Sequence, residues 1–181
     1  MGGDGPGRLE WNGSPSLLKD YGIAPSSIFA VTGSGLSDPG VPVLQSSAAP
    51  GIPLTLNGTS VTVVVNGVTT HPALYYTSPG QIAAVLPAAT PVGAGALTVT
   101  YRGNTSAPAP IQVVASSVGI NSYGVNTGIA TDAVGAVITL NNSASPGQTI
   151  TLWTTGLGAD PADSDTPYTL TPHSVNTPLQ V

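Results

Sequence analysis

The chain has 181 residues, 40% of them hydrophobic, which allows one large or two small domains with modest cores. Only 6% are charged, against roughly 25% in an ordinary soluble domain, and the formal net charge is -5 with three basic residues. Phosphate backbones and anionic membrane surfaces therefore have no electrostatic handle here, so neither nucleic acid nor a membrane is an expected partner. The absence of Cys excludes disulfides and thiol chemistry.

Residues 1–22 read as a Gly/Pro-rich N-terminal arm, with at most one helical turn at 15–19. From there period-2 patterning predicts short strands at 27–32, 52–56, 60–65, 73–76, 81–86, 96–101 and 110–114. Asn57-Gly58, Asn66-Gly67, Pro79-Gly80 and Arg102-Gly-Asn104 separate them, and Asn-Gly favours tight hairpins because both residues tolerate positive φ. The unbroken Val63-Val64-Val65 predicts a deeply buried central strand, whereas Leu97, Val99 and Tyr101 alternate onto one face. Tyr75 and Tyr76 point to opposite faces of an extended chain, so at least one is expected in the core. Gly33-Ser34-Gly35 reads as a strand end that needs permissive backbone. Residues 116–145 read as a linker with one strand at 136–140. Turn signals every ~8–12 residues between short strands are the pattern of a β-sandwich.

The strongest single feature is a repeat. Pro25-Ser-Ser-Ile-Phe-Ala-Val-Thr-Gly-Ser-Gly35-Leu36 aligns with Pro146-Gly-Gln-Thr-Ile-Thr-Leu-Trp-Thr-Thr-Gly156-Leu157. Pro, Gly and Leu fall in register, and the apolar Phe29 and Val31 meet Ile150 and Leu152. A repeated strand and turn implies two copies of one structural unit. After Leu36 the first copy continues through apolar strands to about Val114, and after Leu157 the second reaches Val181 within what reads as a new strand. The expected organisation is an arm at 1–22, a complete unit at 23–115, and a linker with a partial second unit at 116–181.

Ile28-Phe-Ala-Val-Thr-Gly-Ser-Gly-Leu36, Val61-Thr-Val-Val-Val-Asn-Gly67-Val68, Ser78-Pro-Gly-Gln-Ile-Ala-Ala-Val-Leu-Pro87 and Gly93-Ala-Gly-Ala-Leu-Thr-Val99 together resemble an IPT/TIG immunoglobulin-like domain. More narrowly, Ser78-Pro-Gly-Gln-Ile82 with Thr155-Gly-Leu-Gly-Ala159 resembles the uncharacterised repeat-bearing C-terminal domain of Solibacter-type acidobacterial exported proteins. The resemblance covers roughly residues 23–181. It implies an all-β, tandem immunoglobulin-like β-sandwich whose second unit is incomplete, in an extracellular or cell-surface setting. In that family, Thr177-Pro-Leu-Gln-Val181 would be followed by the strands that complete the second sandwich. The resemblance supplies no catalytic residues.

Candidate chemistry is sparse. His71 and His173 are the two histidines, each beside a Pro, and read as loop residues rather than ligands. No nucleophile elbow carries a triad, and the one Glu with clustered Asp does not give a flanking pair of carboxylates, so no enzyme is expected. Asp160, Asp163 and Asp165 lie within six residues on a Pro-broken turn and form a Ca²⁺ candidate. They lack the glycine and spacing of an EF-hand loop, and a solvated acidic turn is the plainer account. No other cofactor is expected. Tyr75, Tyr76 and Tyr101, or Trp153, are the candidates for a sugar-stacking platform, set against a core or interface role. Asn12, Asn57, Asn104 and Asn141 carry sequons. Met1-Gly-Gly-Asp-Gly-Pro-Gly lacks the apolar segment of a secretory signal, so export would rest on a signal removed or lying outside this sequence.

The expected function is a non-enzymatic extracellular structural or adhesive module. An open second unit exposes an apolar face and strand edges that a strand from another copy closes, giving an oligomer or filament. Trp153, Gly156, Leu157, Thr177, Leu179 and Val181 are the expected interface. The alternative is an accessory glycan-binding module of a larger secreted protein.

Overall fold

The computed structural model describes residues 22–40, 42–44, 51–124 and 127–160. Among them there is no helix, and so none long and apolar enough to cross a membrane. The protein is all-β, built from antiparallel sheets. One sheet takes the order β1 (Ile28–Thr32), β7 (Gln81–Val85), β6 (Ala73–Thr77) and β2 (Val43–Leu44). A second takes the order β10 (Ala109–Val113), β8 (Gly93–Tyr101), β4 (Thr59–Val65) and β3 (Thr55–Leu56). Two short strands extend the second sheet, β5 (Val68–Thr70) on β4 and β9 (Asn104–Thr105) on β8.

These two sheets pack against each other because alternation gives each an apolar side. Phe29, Val31, Leu74, Ile82 and Ala84 come from the first; Val61, Val63, Val65, Leu97, Val99 and Val113 from the second. All lie in one buried cluster, which Leu36 and Leu86 close. Thr59 is buried too, and its hydroxyl donates to the Leu36 carbonyl at 2.7 Å, so the strand end carries its polar group into the core with a partner.

The hairpins follow the turn chemistry. Asn57 (φ 50) with Gly58 (φ 73), and Asn66 (φ 50) with Gly67 (φ 78), place both turn residues in the left-handed region. Arg102 (φ 47) and Gly103 (φ 80) make the same turn between β8 and β9. Here an Arg takes the position that Asn holds in the other two.

Three expectations change. Val64 is 40% exposed between fully buried Val63 and Val65, so β4 is central in its sheet but covered on one face only. Neither adjacent tyrosine enters the core: Tyr75 is exposed and Tyr76 half-buried. The pairing of β6 with β7 shifts register between Leu74 and Tyr76, and the neighbours Ala73 and Leu74 are both buried. Strict alternation fails at that irregularity. Residues 136–140 form isolated bridges rather than a strand.

Beyond Val114 the chain makes short ribbons. β11 (Gly119–Ile120) pairs with β16 (Thr154–Thr155), and β14 (Ala130–Thr131) pairs with β15 (Thr151–Leu152). Between them β12 (Ser122–Gly124) pairs with β13 (Thr127–Gly128). Residues 119–131, expected within a linker, thus supply the strand partners of the second repeat copy.

Candidate functional site

The repeat is visible in backbone geometry. Ser26 (φ 60) and Gly147 (φ 83) occupy matching positions, as do Gly35 (φ 66) and Gly156 (φ 81). The Ser27 amide donates to the Ala24 carbonyl at 3.2 Å, and the matching Gln148 amide donates to Ser145 at 3.0 Å. Each copy thus begins on the same turn and ends on the same left-handed residue.

Their surroundings differ. In the first copy Phe29 and Val31 sit in the core, and Gly33 and Leu36 donate to the carbonyls of Gly80 and Pro79. In the second copy the matching Ile150 and Leu152 are 42% and 47% exposed. Among the described residues no second sheet lies over them. The second strand is held instead by Trp153 donating to the Ile129 carbonyl, and by Asn121 donating to the Trp153 carbonyl. Thr155 Oγ1 also accepts from the amide of Ile28 at 3.0 Å, which ties the second copy to the outer edge of β1. An edge strand capped in this way is a poorer template for indiscriminate pairing.

The expected interface residues divide. Trp153 is half-exposed, with its indole nitrogen donating to Thr131 Oγ1 at 3.3 Å. Gly156 is buried, and its carbonyl accepts from the Ser117 amide at 2.8 Å. It is therefore a joint within the chain rather than a surface. Leu157 is half-buried. Thr177, Leu179 and Val181 lie outside the described residues, as do Asp163, Asp165 and His173. Asp160 is described and half-buried, and among the described residues no three His, Cys, Asp or Glu come together to hold a metal. His71 is exposed, with Nδ1 3.5 Å from Thr62 Oγ1.

One cluster escaped the sequence reading. Asp38 Oδ1 accepts the Tyr101 hydroxyl and also pairs with the Arg102 guanidinium at 2.7 Å. The guanidinium carbon lies 5.5 Å from the centre of the Tyr101 ring. A signal was present: Asp38 and Arg102 are the two formal charges that bracket the long neutral stretch. A pair of opposite charges at the ends of an otherwise neutral chain segment is a natural candidate for contact. The Tyr101 hydroxyl is held above the usual phenol range, first by the bond it donates to Asp38, then by desolvation and the carboxylate charge, with Arg102 opposing.

A folded-state value raised above the unfolded one means the contribution is present below the unfolded phenol value and lost as pH rises through the folded one. The urea midpoint gap between wild type and Tyr101→Phe is expected to hold steady up to the ordinary phenol value of about 10 and to shrink as pH rises beyond it. A gap that stays constant through that rise would remove the hydrogen bond's role.

No family model matches the chain, and no curated protein matches it either. What the geometry defines is an all-β protein of packed antiparallel sheets that presents one apolar repeat strand in the core and a second at the surface.

Proposed function

We propose that the protein is a non-enzymatic extracellular structural or adhesive module. In this reading two immunoglobulin-like units of the IPT/TIG type stand in tandem, and the second associates with another copy of the chain. The observation that carries it is the contrast within the repeat: positions buried as Phe29 and Val31 in one copy are exposed as Ile150 and Leu152 in the other. An identical strip on a second molecule is the simplest cover, since a two-fold pairing sets each apolar strip against its twin. The non-enzymatic reading is supported by Asp38 and Arg102, the first unit's charges, which are engaged with one another.

Light scattering on the eluting protein tests this. The wild type is expected at twice the 17.8 kDa chain mass or more, and the Ile150→Asp, Leu152→Asp double variant at the chain mass. Because both side chains are already exposed, the variant should keep its fold by circular dichroism. A wild type that stays monomeric, or a double variant that assembles as well as wild type, sinks the proposal.

A further inference from the structure

A cleft of about 290 Å³ opens beside the Asp38–Tyr101–Arg102 cluster, far in sequence from the second repeat copy. Its walls are Ser34 and Gly35 from the turn after β1, and Tyr101, Asn104 and Ser106 from the β8–β9 hairpin. Leu36 and Val99, both 3% exposed, form its base. We propose that this cleft binds one ring of a neutral saccharide, which goes beyond self-association and does not depend on it.

Four features lead to that ligand class. First, the Tyr101 ring is fixed before any ligand arrives. Its hydroxyl is tied to Asp38, and Arg102 lies over the ring while standing outside the cleft wall. An aromatic surface that needs no ordering on binding loses little entropy there. The C–H face of a pyranose packs on such a surface, and the ring's hydroxyls need polar partners around its rim.

Second, those partners are present and unengaged. Among the described residues, neither the Ser34 hydroxyl nor the Asn104 amide has a hydrogen-bond partner, and Asn104 offers both a donor and an acceptor. Ser106 by contrast is committed, accepting from the Val99 amide at 3.1 Å and donating to the Ala107 carbonyl at 3.0 Å. It shapes the wall rather than recognising a ligand.

Third, the wall carries no charge, and among the described residues the nearest cation, Arg102, is already paired with Asp38. An anionic ligand would have to compete with that carboxylate for the guanidinium. Fourth, the volume stands near the small end of ligand pockets, roughly 300–1,000 Å³. It suits a single sugar ring, such as a chain end, rather than an extended glycan.

The test is saturation-transfer NMR with the methyl glycosides of glucose, galactose, mannose and N-acetylglucosamine at millimolar concentration. It reads the ligand's own signals, so it works on a monomer or a large assembly, and a failure of self-association leaves it unaffected. At least one glycoside is expected to receive transfer that Tyr101→Ala abolishes. Asn104→Ala, an exposed change that leaves the fold intact, should weaken binding about fivefold to tenfold, the scale of one hydrogen bond. No transfer to any glycoside, or transfer equal in wild type and Asn104→Ala, overturns the site. So does binding of glucuronate or inorganic phosphate alone, lost with Arg102→Ala, since that would make it an anion site.

Discussion

Replacing Gly95 by Val is expected to cost about 3 kcal/mol or more, a large part of the 5–15 kcal/mol typical of a folded domain. Gly95 lies in β8 between Val65 of β4 and Ile111 of β10. A Cβ placed there would overlap the Val64 carbonyl oxygen and stand 2.6 Å from Val65 Cγ2. Both obstacles belong to a central strand paired along its whole length with β8. They cannot yield without moving Val63 and Val65, which are fully buried. Interiors packed to crystal density have no slack for that. The check is a urea midpoint compared with that of Ala94→Val, one residue away on an exposed position of the same strand. Ala94→Val should stay within about 0.5 kcal/mol of wild type. If the two variants unfold together, close backbone approach is not what Gly95 provides.

The second large effect separates two residues that occupy the same place in the repeat. Gly35 and Gly156 both have φ in the left-handed region, at 66 and 81. A Cβ on Gly35 meets nothing within 4 Å, so Gly35→Ala should cost only the backbone strain of about 1–2 kcal/mol. A Cβ on Gly156 would overlap the Ser117 carbonyl oxygen and lie 2.7 Å from its carbon. Gly156→Ala must therefore also break the bond from the Ser117 amide and push the second copy from its seat. The expected signature is regional. Amides of Asn121 and Trp153, which hold the second strand, lose protection from hydrogen exchange, while those of Val63 and Leu97 keep theirs. Equal loss of stability in the two alanine variants would mean that the Ser117 contact carries no weight.

The calcium candidate shows where spacing alone stops. A Ca²⁺ site needs about six to eight oxygens converging at one point, which residue spacing alone cannot specify, and of the three candidate carboxylates only Asp160 lies within the described residues. The tyrosines teach a similar lesson. Tyr75 and Tyr76 were assigned by alternation, and a register shift beside them removed the premise. Tyr101 was assigned correctly to the face of Leu97 and Val99, but its hydroxyl partner lies at Asp38 in a distant loop. Alternation around residue 101 does not encode that meeting; only the lone opposite charges at Asp38 and Arg102 hint at it.

What the sequence determined by itself was local. Period-2 alternation placed Leu97 and Val99 on an inward face, and Asn-Gly pairs placed two hairpin turns with positive φ. The repeat from Pro25 to Leu36 put Gly156 in register with Gly35, and both adopt the left-handed backbone that Gly takes freely. The tertiary structure decided what lies against each face. It buried Phe29 and Val31 and left Ile150 and Leu152 exposed, although the two strands carry the same pattern. It also brought Asp38, Tyr101 and Arg102 together beside a cleft. The reason is that alternation specifies which side chains share a surface, whereas burial depends on a second surface supplied from elsewhere in the chain or from another molecule.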